Sequence, residues 1–226
     1  MSKFVTEFGR DGGQVQADGR LDAQAFHRNH QAIWGALAPF LLGKSGDVVE
    51  VGSGTGQHVI AFARQSPEIT WWPSDLNPSH LKSIEAWRSF AGLANVRAPL
   101  RIDLSDPAWC PDMRDGAGPR ALRAVVCANV IHIAPWDVAE GLIAGAALYL
   151  LPDGRLFIYG PFRRNGAHTA VSNAVFDTSL REANPAWGVR DLEDVTAVAA
   201  RVGLELTDVL QMPANNLVVV FARAPA

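Results

Sequence analysis

The chain has 226 residues, 48% hydrophobic and 19% charged, which suits one large α/β domain with an ample core. A formal net charge of −3 gives no basic stripe for a nucleic-acid partner, and no window of about 18 apolar residues offers a membrane span. Cys110 and Cys127, without a CxxC pair, argue against a disulfide framework or structural zinc, so a soluble protein in a reducing, cytoplasmic setting is expected.

Residues 1–20 are rich in Gly, Gln and Asp with little periodicity, and read as a flexible lead-in to a single domain over 21–226. Over 21–42, Ala25, Phe26, Ile33, Leu37, Phe40 and Leu41 fall near helical spacing, which predicts one or two helices. His27 and His30 stand one turn apart, but no Glu or Cys of matching spacing completes a metal site. Arg28 and Asn29 lie between them and can donate to a carboxylate near a crevice.

Val48, Val49 and Val51 read as a short buried strand, after which Gly52, Gly54 and Gly56 let the backbone turn sharply and approach a ligand. A helix follows over 55–65, so the glycines mark the ligand crevice of an open α/β sheet, with Glu50 just before them. Spacing discriminates among ligands. A dinucleotide fingerprint needs a third glycine at 57, where Gln57 stands. Gly43-Lys44-Ser45 resembles the end of a P-loop, but Ala38 replaces its first glycine and the strand follows instead of preceding.

Residues 69–75 read as a second strand ending on Asp75, 19 positions after Gly56, where an acid accepts hydrogen bonds from ribose hydroxyls. Alternatively Asp75 caps the helix opening at Asn77-Pro78. Leu81, Ile84, Trp87 and Phe90 make 78–93 an amphipathic helix. Residues 96–104 read as a third strand with Asp103 at its end, beside Leu104, and 106–119 as a loop. The apolar run 122–129 suits a central strand, which delivers Asn129 and His132 to the ligand edge of the sheet. A helix over 137–150, a turn at 152–154, a strand over 155–160, helices over 172–182 and 191–202, and an antiparallel pair at 205–211 and 217–222 complete the chain.

The assembled pattern resembles the class I methyltransferases that use S-adenosylmethionine. More narrowly it is similar to the family that includes methyltransferase-like protein 26, long filed as a domain of unknown function. The match rests on Gly52-Ser-Gly-Thr-Gly-Gln-His58, Trp72-Pro-Ser-Asp75, Ser83-Ile-Glu-Ala-Trp87 and Asn129-Val-Ile-His-Ile-Ala-Pro-Trp136. It extends through Tyr159-Gly-Pro-Phe162, Ser172-Asn173 with Phe176-Asp177, Trp187-Gly-Val-Arg-Asp191 and Pro213-Ala-Asn-Asn216. His27 before Arg28-Asn29 is its one departure.

The resemblance implies a Rossmann-like sheet of seven mostly parallel strands with helices on both faces and one antiparallel strand near the C-terminus. It also implies S-adenosylmethionine as cofactor, but not a substrate; the net acidic chain without a basic stripe favours a small-molecule acceptor over nucleic acid, and no metal or membrane partner is expected. Cofactor contacts are expected from Arg28, Glu50, Gly52, Ser53, Gly54, Thr55, Gly56, His58, Asp75, Leu76, Asp103, Leu104, Asn129 and Ile131. His132 and Tyr159 are the expected general bases. Trp136, Phe162, Asn173, Asp177, Arg190, Asn215 and Asn216 are expected around the acceptor. A cofactor-binding protein without catalysis keeps every cofactor residue, and a nicotinamide-dependent oxidoreductase keeps the glycine loop and Asp75.

Overall fold

A computed structural model describes residues 14–109, 118–119 and 121–223. Its sheet grows outward from β3 (Gly46–Val51), which pairs in parallel with β4 (Ile69–Asp75) on one side and β6 (Leu122–Ala128) on the other. β4 carries the short β5 (Leu100–Arg101), and β6 carries β7 (Leu150–Gly160), both parallel. β12 (Asn216–Arg223) then pairs antiparallel with β7 and with β11 (Leu204–Met212), giving the order β11-β12-β7-β6-β3-β4-β5. The sheet therefore has the seven strands and the one antiparallel member that the sequence leads one to expect.

Near-continuous apolar strands are buried on both faces because alternate residues feed two cores. Val49, Val51, Val125, Leu156, Ile158 and Val219 pack beneath α4 (Trp136–Tyr149) and α6 (Leu192–Arg201). Their neighbours Val48, Ala124, Val126, Phe157 and Val218 pack beneath α1 (Gln24–Leu41) and α2 (Gln57–Gln65), with α3 (Pro78–Ala91) beside them. Among the described residues no helix is long and apolar enough to cross a membrane.

Two expectations need correction, and a third is only partly covered by the described residues. The third strand is not continuous over 96–104: Val96 bridges to Trp71, and Leu100–Arg101 alone pair with Ser74 and Asp75. Pro99 lies between them and has no N–H to give the ladder. The lead-in expected over 1–20 lies outside the described residues up to 13, and beyond them β1 (Gln14–Val15) pairs antiparallel with β2 (Leu21–Asp22). Finally, a small second sheet joins β8 (Phe162–Arg164), β9 (Ala167–His168) and β10 (Arg190–Asp191) around α5 (Val171–Ala183), where a chain-order reading of short segments found no strands.

Helix α4 carries two glycines one turn apart, and their reason is space. A Cβ on Gly141 would lie 1.9 Å from the Leu104 carbonyl oxygen, and one on Gly145 would lie 1.8 Å from Trp109 Nε1. Trp109 Nε1 donates to Gly141 O at 3.1 Å, so the segment 102–109 lies directly on the helix backbone. Replacing an interior helical glycine by alanine normally gains up to about 1 kcal/mol. Here the clash is with backbone, and overpacking of about 1–3 kcal/mol outweighs that gain. Gly141→Ala is thus expected to lower the urea midpoint with an unchanged slope, and a midpoint at or above that of the parent would refute the packing account.

Candidate functional site

The tips of β3 and β4 are clasped by two serines. Ser53 Oγ and Ser74 Oγ both donate to the Glu50 carbonyl, at 3.1 and 2.9 Å, while Ser53 N donates to Ser74 O at 2.7 Å. This clasp presents the glycine loop to Asp75, whose Oδ2 accepts from Gly54 N at 2.9 Å. Asp75 Oδ1 accepts from Asn77 N at 2.8 Å, and His80 Nδ1 lies 3.2 Å from Oδ2. Asn77 itself caps α3 by accepting from Ser79 N, so Asp75 is not the helix cap.

A chamber of about 240 Å³ opens over this loop. Its wall holds the carboxyl groups of Glu50, Asp75 and Asp103 from three neighbouring strands or their ends, together with Gly52, Ser53, Gly54, Thr55, His58, Leu76, Leu104 and Asn129. Gly54 has φ +56, and a Cβ there would meet nothing within 4 Å, so the loop leaves open space for a ligand against bare backbone. Burial pushes the Glu50 carboxyl up to about 8, with the charge of Asp75 adding to the rise. Glu50 is therefore protonated at neutral pH. Asp103 also turns its own loop, accepting from Ser105 N and Ser105 Oγ at 3.1 and 2.7 Å.

A second chamber of about 820 Å³ shares Gly54, Thr55, His80, Asn129 and Ile133 with the first. Arg28, Asn29, Tyr159, Asn173, Asn215 and Asn216 give it polar groups, and Pro161, Phe176, Leu180 and Trp187 give it an apolar side. Asn216 Nδ2 donates to the Tyr159 hydroxyl at 3.0 Å, and Asn173 Nδ2 donates to Asn215 O at 3.0 Å. Ala214 and Asn215 sit at φ +56 and +58, an unfavourable backbone for an alanine, held in place by these bonds. Burial raises the Tyr159 pKa, which keeps the phenol protonated and makes it a donor.

The family model described as "Protein of unknown function (DUF938)" matches residues 20–223. The chain belongs to that family. Among solved structures it is similar to mitomycin 7-O-methyltransferase MmcR, with a TM-score of 0.72 and 16% identity over 89% of this chain and 55% of that one. An O-methyltransferase family protein from Burkholderia thailandensis gives 0.71 and 18%, over 89% and 58%. The apo form of the S-adenosylmethionine-dependent methyltransferase SibL gives 0.68 and 20%, over 89% and 56%. The chain thus spans little more than half the length of these proteins, and at such identity the likeness shows the fold: a Rossmann-like class I methyltransferase architecture.

Several residues singled out from the sequence of this DUF938 member stand behind the chambers. Gly56 lines neither; a Cβ there would lie 2.9 Å from Ile84 Cα, so it lets α3 approach α2. Ile131 is buried core. His132 is 1% exposed and lines neither chamber: its Nδ1 accepts from Arg190 N at 3.4 Å, and its ring packs edge-on against Phe162. Burial, helped by the charge of Arg190, lowers its pKa to about 3, so His132 is not placed as a general base.

Trp136, Phe162, Asp177 and Arg190 belong to the same seam. Arg190 donates to the carbonyls of Ile131, Ala134 and Ala186 and lies over the Trp136 ring, while Phe162 is fully buried. Asp177 Oδ1 accepts from Val189 N at 2.7 Å. The sequence places Trp136 and Phe162 near strand tips and Asp177 and Arg190 around the acceptor, but does not show which way each side chain turns.

Gln57 illustrates a role that sequence reasoning missed. It is 3% exposed, its Oε1 accepts from Ala23 N at 2.8 Å and its Nε2 donates to Asp22 Oδ1 at 2.8 Å. The N-terminal hairpin is thereby strapped across the start of α2, with Leu21 N on Ser83 Oγ and Trp87 Nε1 on Leu21 O. Ala23, Ala25 and Phe26 consequently wall the smaller chamber.

Two outcomes follow. His132→Ala is expected to cost about 1–3 kcal/mol by opening a hole and unpairing Arg190 N, read as a lowered melting midpoint. Folded Glu50 keeps its proton to about pH 8, whereas the unfolded side chain loses it near 4.5. Unfolding then releases a proton between those values, and stability falls as pH rises through the window. Glu50→Gln should flatten that slope and gain on the order of a few kcal/mol over the parent at pH 8. An equal change in unfolding free energy between pH 5 and pH 8 in parent and Glu50→Gln, read from urea melts, would show that Glu50 is ionised in the folded chain.

Proposed function

We propose that this chain is an S-adenosylmethionine-dependent methyltransferase acting on a small-molecule acceptor, in the manner expected for relatives of methyltransferase-like protein 26. The observation that carries the proposal is the pair of joined chambers: an acid-lined one on the glycine loop and a larger one meeting it at Gly54, Thr55, Asn129 and Ile133. The names of the structural neighbours, O-methyltransferases and an S-adenosylmethionine-dependent methyltransferase, support the same activity. A dinucleotide is disfavoured because Gln57 and Ala23 cover the α2 N-terminus that a pyrophosphate uses.

The residues present fit the cofactor. Asp75 keeps lone pairs for ribose hydroxyls after taking Gly54 N and Asn77 N, and Leu76, Ile102 and Leu104 give apolar faces for a flat base. The bare backbone of Gly54 leaves room for the methionine end, with Glu50 beneath it. When bound, S-adenosylmethionine supplies a methyl carbon already activated by a positive sulfonium. What the protein adds is alignment, and positioning alone reaches effective molarities of ~10⁵ M and above. Tyr159, whose hydroxyl accepts from Asn216 Nδ2 and keeps its proton, orients the acceptor by donating a hydrogen bond.

Thermal shift and calorimetry with S-adenosylmethionine, S-adenosylhomocysteine and NAD test the proposal. The two adenosyl ligands should stabilise the protein, and a small-metabolite extract should yield S-adenosylhomocysteine. Asp75→Asn and Asp75→Ala should each weaken adenosyl-ligand binding by at least roughly tenfold, because charge-assisted bonds are worth ~1.5–3 kcal/mol each. Stabilisation by NAD alone would overturn the proposal.

A further inference from the structure

The larger chamber is lopsided in charge. Among the described residues its wall carries one arginine, one histidine and a set of asparagines, with no aspartate or glutamate. The smaller chamber, sharing part of that wall, presents Glu50, Asp75 and Asp103. This cationic half lies in a chain of net charge −3, so it is not a by-product of overall composition.

Arg28 supplies the charge. It lines the larger chamber and not the smaller, makes no hydrogen bond or ion pair with any described residue, and sits near enough to Tyr159 to act on that hydroxyl through its charge. A guanidinium with no partner among the described residues, lining a cavity beside the Tyr159 hydroxyl, matches a carboxylate or similar oxyanion. A second observation agrees. Tyr159 holds its proton and His132 lies behind the wall, so neither is placed to deprotonate a bound nucleophile. The opposite side, with Phe176, Leu180 and Trp187, suits a flat apolar body.

We infer that the methyl acceptor is a small organic anion with a flat apolar body, its anionic group held by Arg28 and its body set against Phe176 and Trp187. The inference rests on the methyltransferase proposal for the word acceptor. The other carboxylate whose chemistry suits Arg28 is that of the cofactor, which the geometry disfavours because Arg28 is absent from the smaller chamber's wall.

The test uses the full chain saturated with S-adenosylhomocysteine and titrated with benzoate, neutral benzamide and cationic benzylamine at millimolar concentration. Benzoate should bind roughly tenfold or more tightly than either analogue. Arg28→Ala should erase that preference, Arg28→Lys should retain part of it, and both should keep the affinity for S-adenosylhomocysteine within about threefold of the parent. Arg28 is exposed on α1, so these variants fold. The inference is overturned, with the methyltransferase proposal intact, if benzoate shows no advantage or if Arg28→Ala leaves its binding unchanged. It is equally overturned if Arg28→Ala weakens S-adenosylhomocysteine instead. A protein that binds benzoate through Arg28 but ignores both adenosyl ligands removes the methyltransferase proposal, and the acceptor assignment falls with it.

Discussion

Asp75 binds two backbone amides that face it from different elements, Gly54 N in the glycine loop and Asn77 N at the start of α3, at 2.9 and 2.8 Å. A buried acceptor with two N–H donors is in a low-dielectric site where such bonds are strong and their loss is costly. The chain cannot move the glycine loop without breaking the first bond, nor α3 without breaking the second. The serine clasp on Glu50 O fixes the strand tips behind it. The position of the smaller chamber therefore depends on this one carboxylate, and its ligand would arrive at a geometry already set.

The wall of the larger chamber is held differently. The turn after β6 begins at Asn129, with φ +60, and runs to Trp136 as irregular, buried or half-buried backbone whose carbonyls have no strand ladder to join. Arg190 collects the carbonyls of Ile131 and Ala134, and Gly188 N donates to His132 O at 2.9 Å. Asp177 in turn holds Val189 N. The two conspicuous motifs, 129–136 and 187–191, thus match each other before they match a ligand. Their polar side chains satisfy irregular buried backbone, which must find partners inside the protein.

That distinction explains what the sequence could and could not tell. Period-two alternation and glycine spacing are backbone properties, so β3, β4, β6, β7 and β12 were legible, and so was Asp75 at a strand tip. Whether a polar residue just past a strand turns toward a cavity or into a seam depends on contacts with segments distant in sequence. His132 and Asn129 stand three positions apart on one turn, yet Asn129 lines both chambers and His132 neither. Gln57 was informative only as a missing glycine; its bonds to Ala23 and Asp22 depend on a hairpin with too few residues per strand to show a period. Pro99, by contrast, was a visible reason to doubt a long third strand.

The contrast between the chambers bears on chemistry as well as recognition. In the proposed reaction a bound sulfonium would supply the methyl group and an anionic acceptor would take it, with charge lost on the way to the transition state. Moving such a pair from water into a half-buried crevice strengthens their attraction, which rises several-fold as the effective dielectric falls from about 80 to about 20. Separate chambers of opposite character, three carboxyl groups on one side and Arg28 on the other, would let each reactant bind in a favourable field and meet at the shared wall of Gly54, Thr55 and Asn129. Glu50 fits this arrangement, because burial keeps its carboxyl neutral and so limits the like charge gathered in the smaller chamber. On that proposal a general base would be unnecessary where the anionic group is itself the nucleophile, and the fold would have only to hold it in line.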